Sequence, residues 1–104
     1  MAREYDKLVR DNIPEVIEAD GETPVTHVAD GDEYERRLFE KLDEEVAELR
    51  EEPSADELAD VLEVLAAIQD RLGVDDDELK QIREEKADRR GRFEDGVVLE
   101  RVET

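Results

Sequence analysis

Two carboxylate pairs share one spacing in the middle of this chain: Glu45 with Glu48, and Glu57 with Asp60. Residues three apart lie on one helix face, about a turn from each other, so each pair forms a two-toothed clamp of hard oxygen donors. Between the clamps, Glu52-Pro53-Ser54 interrupts the helical pattern, because proline is poorly tolerated inside a helix and serine starts the next one. If the chain folds back at this break as an antiparallel hairpin, residues whose numbers sum to 105 sit level, pairing Glu45 with Asp60 and Glu48 with Glu57. Four carboxylates then meet at one height. Two like charges ~6 Å apart repel by ~3 kcal/mol at an effective dielectric near 20, so the cluster calls for a cation. Oxygen donors gathered in this way suit Mg²⁺, with Mn²⁺ as the substitute.

The helices that carry the clamps turn them inward. At roughly 100° per residue, the first helix has an apolar stripe of Tyr34, Leu38, Leu42, Val46 and Leu49. Glu45 falls within that stripe and Glu48 on its edge. The second helix has Leu58, Val61, Leu65, Ile68 and Leu72, with Val64 to one side. Glu57 lies within this stripe and Asp60 on its edge. Glu57 also has a structural role open to it: Ser54-Ala55-Asp56-Glu57 is a capping box, and making the box competes with binding a metal.

A chain of 104 residues is expected to form one domain, 1–104. The formal charge is −19, from 34 acidic and 15 basic residues. Such a balance disfavours duplex nucleic acid and anionic membranes, which need clustered Lys and Arg. The regular apolar stripes argue against disorder. Adaptation to a salty, halophilic cytoplasm fits better, since molar salt shrinks the Debye length to ~3 Å, and only four of the basic residues are Lys. The chain has no cysteine, which excludes disulfides and thiolate metal sites. No apolar run resembles a signal peptide or is long enough to span a membrane, so a soluble cytoplasmic protein is expected.

Ahead of the hairpin, Pro14 suits the first turn of a short helix through Ala19, with Asn12 or Asp11 as its cap and Gly21 past its end. Ile13, Val16 and Ile17 give it a small apolar face to dock on the bundle. Lys7 and Arg10 stand three apart in a chain short of positive charge. They either pair with nearby Asp6, Asp11 or Glu15, or hold phosphate oxygens. The segment 24–29 has the β-branched composition of a short strand, with Pro24 confining it to an edge. His27, the single histidine, reads as a surface residue rather than a ligand. Asp30-Gly31-Asp32 caps a long helix from Glu33 to Glu51.

Beyond the hairpin, Gly73 closes the second long helix, and Asp75 with Glu78 opens a third through a capping box. Leu79, Ile82 and Lys86 share one side of it. An ammonium turned inward wants a specific anion, which makes Lys86 a phosphate ligand. Arg89 and Arg90 complement the negative helix end. Residues 97–102 again have the composition of a short strand. The architecture expected is mainly α: an antiparallel hairpin plus a third helix, completing a four-helix bundle across subunits.

These blocks resemble a known family. Glu44-Glu45-x-x-Glu48 followed by Glu57-x-x-Asp60 is similar to the signature of the MazG-like, all-α nucleoside triphosphate pyrophosphohydrolases. KLVRDNIP at 7–14 and EEKADRRGRFE at 84–94 extend the likeness to the small phosphoribosyl-ATP pyrophosphohydrolase-like group. The resemblance implies Mg²⁺-dependent cleavage between the α and β phosphates of a nucleotide, releasing pyrophosphate and a monophosphate. It implies Glu45, Glu48, Glu57 and Asp60 as metal ligands, Glu44 as a positioner of water or a second ion, and Glu48 as the base. Lys86, Lys7 and Arg10, with Arg90 weaker, would hold the β and γ phosphates, and Phe93 or Tyr5 would stack on a base. A homodimer or homotetramer is expected. Two alternatives stand beside this: phosphoribosyl-ATP as the substrate, in histidine synthesis, and a non-catalytic acidic helical oligomer that binds a partner.

Overall fold

The computed structural model describes residues 3–104, and among them the regular structure is four helices: α1 (Ile13–Ala19), α2 (Gly31–Glu51), α3 (Ala55–Leu72) and α4 (Asp76–Arg90). The chain is mainly α. Its contacts divide it into two compact units, residues 1–72 and 73–104.

The first unit is built on the α2–α3 hairpin, the helices packing on each other across the short link at Glu52, Pro53 and Ser54. Ser54 Oγ accepts the Glu57 amide at 3.2 Å, satisfying one of the free N–H groups that open α3. The register follows the expected sum. Leu38 packs with Val64 and Ile68, flanked by Leu42, Tyr34 and Ala67. Near the open end, Arg71 donates to the Gly31 carbonyl at 3.1 Å and lies 3.8 Å from Glu35.

The buried line on α3 differs from the stripe read from the sequence. Val61, Val64 and Ile68 are buried, whereas Leu58, Leu62, Leu65 and Leu72 are exposed. The apolar arc of α3 is wider than one partner helix covers, so α2 takes the side centred on Val64 and leaves the other side open. Glu57 falls on the covered side.

Residues 6–10 cross the other flank of the hairpin as an irregular strap. Leu8 packs against the Leu38 cluster, and Arg37 donates to the Asp6 carbonyl and carboxylate, each at 2.8 Å. Helix α1 then forms with its proline in the first turn. Asn12 takes the N-cap position but makes no side-chain cap bond. At its other end the Glu22 amide donates to Ile17 at 3.2 Å and the Gly21 amide to Glu18 at 2.9 Å. This is a Schellman motif, and it needs Gly21 at φ +85°. The docking face of α1 is only partly covered: no residue of the helix is buried, Ile13 and Ile17 are half-buried and Val16 is exposed.

In the second unit, Asp75 Oδ1 accepts the Glu78 amide at 2.8 Å, as the capping box requires. Helix α4 buries no residue; Leu79 is half-buried, while Ile82 and Lys86 are exposed. The inward Lys86 is therefore not found, because this side of α4 has too few apolar neighbours to define an interior.

The two expected strands are also not formed. Among the described residues none is in a strand, and Val25, Val28, Val97 and Val98 are almost fully exposed. A strand needs a neighbour for its amides and carbonyls, and neither segment has one.

Candidate metal centre

Helix phase and hairpin register bring three of the four clamp carboxylates together. Glu45, Glu57 and Asp60 each offer an oxygen within 4.8 Å of the others. Glu45 is the deepest, only 7% exposed and the one buried charged residue among those described. Its Oε1 lies 3.2 Å from Lys41 Nζ. Its Oε2 is buried with no hydrogen-bond partner, and the same holds for Glu57 Oε2. An unpartnered buried carboxylate oxygen is costly. Two of them in one cluster of hard donors are what a divalent cation would satisfy, so the residues fit the metal that the spacing implied.

Glu48 stands at the rim. It is exposed, and the neighbouring Glu45 carboxylate favours its protonated form, both as an oxygen that can accept that proton and as a like charge, so its pKa lies above the ordinary carboxylate value; partial desolvation and the charges of Glu57 and Glu44 act in the same direction. Glu57 is likewise shifted up, first by desolvation and then by the charges of Asp60 and Glu45. Glu44 points to the neighbouring flank. Burial alone would raise its pKa, but hydrogen bonds from Lys7 and Lys41 bring it below the ordinary range.

The strap supplies the cations. Lys7 Nζ donates to Glu44 at 2.9 Å, which raises the lysine's own pKa. Arg10 donates to Asp60 Oδ1 at 2.7 Å and lies 3.8 Å from Glu63. Neither cation takes the local acids Asp6, Asp11 or Glu15 as an ion-pair partner among the described residues. Both stand instead at the acidic cluster, 37 and 50 residues away in sequence. Glu44, Glu45, Glu48, Glu57, Asp60 and Glu63 face Lys7, Arg10 and Lys41, so the acids outnumber the cations around the cluster.

Lys86 and Arg90 lie on α4 in the second unit, both exposed, as is Phe93 beyond it. Tyr5 lies near the strap, its ring centroid 5.8 Å from Lys7 Nζ. His27 is exposed and bonds Glu33 at 2.8 Å, a surface role as expected.

Sequence reasoning missed Lys41 and Arg37. Lys41 precedes Glu44 and Glu45 by three and four residues on one helix, the spacing at which opposite charges pair, so its signal was present. Arg37 has the same helical spacing to Glu33, but its bond to Asp6 had no signal, since Asp6 comes from the irregular strap.

Comparison with known proteins adds little to this geometry. A 44-residue stretch, 42% of the chain, is 61% identical to a protein of Mycolicibacterium smegmatis described as uncharacterized, and spans 45% of that protein's length. No protein-family model matches the chain, and no solved structure does.

Proposed function

We propose that the first unit is the catalytic part of a Mg²⁺-dependent nucleoside triphosphate pyrophosphohydrolase, cleaving the α–β phosphate bond to give a nucleoside monophosphate and pyrophosphate. The observation that carries this reading is Glu45: a buried carboxylate oxygen without a partner, converging with Glu57 and Asp60. The likeness of the acidic motifs to the MazG-like enzymes supplies the reaction class.

Glu45, Glu57 and Asp60 would hold the ion. When bound, it supplies charge neutralisation for phosphate oxygens and acidifies an attacking water. Glu48, with its proton affinity raised by Glu45, takes the proton as the water oxygen bonds to the α-phosphorus. The α–β bridging bond breaks and its electrons leave with pyrophosphate. A base with a raised pKa is better matched to neutral pH than an ordinary carboxylate. Lys7 and Arg10 face the leaving phosphates from the strap. Glu44, tied to Lys7 and Lys41, fixes the cation rather than the metal.

The open side of α3 supports a homo-oligomer. Leu58, Leu62, Leu65 and Leu72 recur at helical spacing on one exposed stripe, and a second copy of the hairpin would cover it as a four-helix bundle.

A second reading rests on the ring of Lys7, Arg10 and Lys41: the cluster is a structural ion-pair network in a non-catalytic oligomer. A pyrophosphate-release assay over canonical and damaged nucleotides and phosphoribosyl-ATP, with and without Mg²⁺, separates the two. Activity should require Mg²⁺ and collapse in Glu48→Gln and Asp60→Asn. Release that ignores both substitutions, or no release with any substrate, removes the enzymatic reading.

A further inference from the structure

Arg10 is tied to the cluster differently from the other two cations. Lys41 is largely buried and held by Glu44 and Glu45 on its own helix. Lys7 pairs with Glu44, which lies outside the converging trio. Arg10 is the exposed cation bonded to a member of that trio: it holds Asp60, and its side chain is 56% exposed against 16% for Lys41 on Glu45. Pairs between exposed side chains are weak, typically below about 1 kcal/mol, so this one is easily exchanged.

We propose that Arg10 is an exchangeable counter-ion: it gives up Asp60 when Glu45, Glu57 and Asp60 take a divalent cation, and its guanidinium then binds an oxyanion beside the metal. Anion binding is thereby made conditional on metal binding. The inference rests on the metal reading above and adds the coupling between the two ligands.

The physical reason is proximity. The guanidinium nitrogen is 2.7 Å from Asp60 Oδ1, and metal–oxygen bonds to such donors are roughly 2.0–2.6 Å. A bound dication therefore lies within about 5 Å of the guanidinium, inside the Debye length of about 8 Å at physiological salt. The carboxylate that held Arg10 then serves the stronger cation, and Arg10 is repelled from it. Release is local. The strap stays fastened by Leu8 in the core and by Arg37 on Asp6, upstream of Arg10. Arg10 therefore swings from a fixed base, with Glu63 as its resting partner at 3.8 Å. Phosphate oxygens are its preferred alternative, since the planar fork binds them bidentately.

Side-chain NMR on the full chain tests this, with Mg²⁺ and inorganic phosphate as probes. Mg²⁺ should shift the carboxyl carbons of Glu45 and Asp60 and the Arg10 Nε–Hε signal together, with one midpoint, leaving the Asp6 and Leu8 amides in place. Phosphate should then move the Arg10 signal in the presence of Mg²⁺ and not in its absence. The Arg10→Gln variant should bind Mg²⁺ about two- to fivefold tighter, the worth of a surface ion pair, and should lose the phosphate response. Arg36→Gln removes the same charge from a pair with Glu40 elsewhere on α2 and should leave the Mg²⁺ midpoint unchanged.

Carboxyl shifts with a stationary Arg10 signal overturn the exchange and leave the metal site standing. Equal tightening in Arg10→Gln and Arg36→Gln also overturns it, because the effect is then general charge. Unmoved Glu45 and Asp60 carboxyls overturn both the exchange and the metal reading.

Discussion

Replacing Lys41 by methionine keeps the apolar stem and, to a good approximation, the helix propensity, and removes the ammonium on which Glu45 depends. Lys41 and Glu45 have side chains only 16% and 10% exposed, and their charged atoms are 3.2 Å apart. Taking one partner from a buried pair costs about 3–5 kcal/mol, because the remaining charge is left uncompensated. Glu44, the other partner of Lys41, is more exposed and keeps Lys7, which places the expected loss near the lower end, about 3 kcal/mol. Against a native stability of roughly 5–15 kcal/mol that is a large fraction, and a fall in Tm of more than about 10 °C follows for a domain of this size. Mg²⁺ at a hundred times its Kd returns about 2.7 kcal/mol to any protein that binds it only when folded, so the ion should restore most of the loss. Urea unfolding followed by circular dichroism, with MgCl2 compared against NaCl at matched ionic strength, reads both quantities. A loss below about 1 kcal/mol, more typical of a surface pair, would refute the burial argument. Rescue by NaCl equal to that by MgCl2 would refute the metal argument.

Three further outcomes are expected. Glu33 has its pKa lowered chiefly by its hydrogen bond with His27, with Arg37 contributing; its ionised form is favoured in the folded state, so its contribution to stability is present above the unfolded value and is lost as pH falls through the lowered one. In His27→Ala, carboxyl NMR titration should find the Glu33 pKa moved up towards the ordinary range, and an unchanged midpoint would remove His27 as the cause. Gly21→Ala should destabilise the protein by roughly 1 kcal/mol, the cost of a side chain in left-handed backbone. No atom lies within 4 Å of the added methyl, so a larger loss in chemical denaturation would point to an unrecognised contact. Leu62→Asp, on the open stripe of α3, should reduce the solution mass to that of one chain in light scattering, and a mass unchanged from a dimeric or larger wild type would move the interface elsewhere.

The parts of this molecule legible in the sequence are those set by local periodicity. The helices around residues 13–19, 31–51, 55–72 and 76–90 follow from apolar spacing, the break at Pro53, and the Gly and Asp residues at their ends. The convergence of Glu45 with Asp60 follows from the shortness of that break, because a tight antiparallel turn leaves little freedom in register. Segments 24–29 and 97–102 stay irregular, since β-branched composition expresses a preference that only a neighbouring strand can realise.

What the sequence by itself determined was the hairpin, its register and the inward phase of its acids, all properties of a regular helix repeated along the chain. Tertiary structure alone decided which cations meet those acids, that Glu48 stands at the rim while Glu57 joins the trio, and which half of the α3 stripe is covered. The reason is that a charge finds its partner through space. Lys7 and Arg10 reach Glu44 and Asp60 because Leu8 and Asp6 anchor an irregular strap across one flank, and no repeat in the sequence encodes where such a strap will lie.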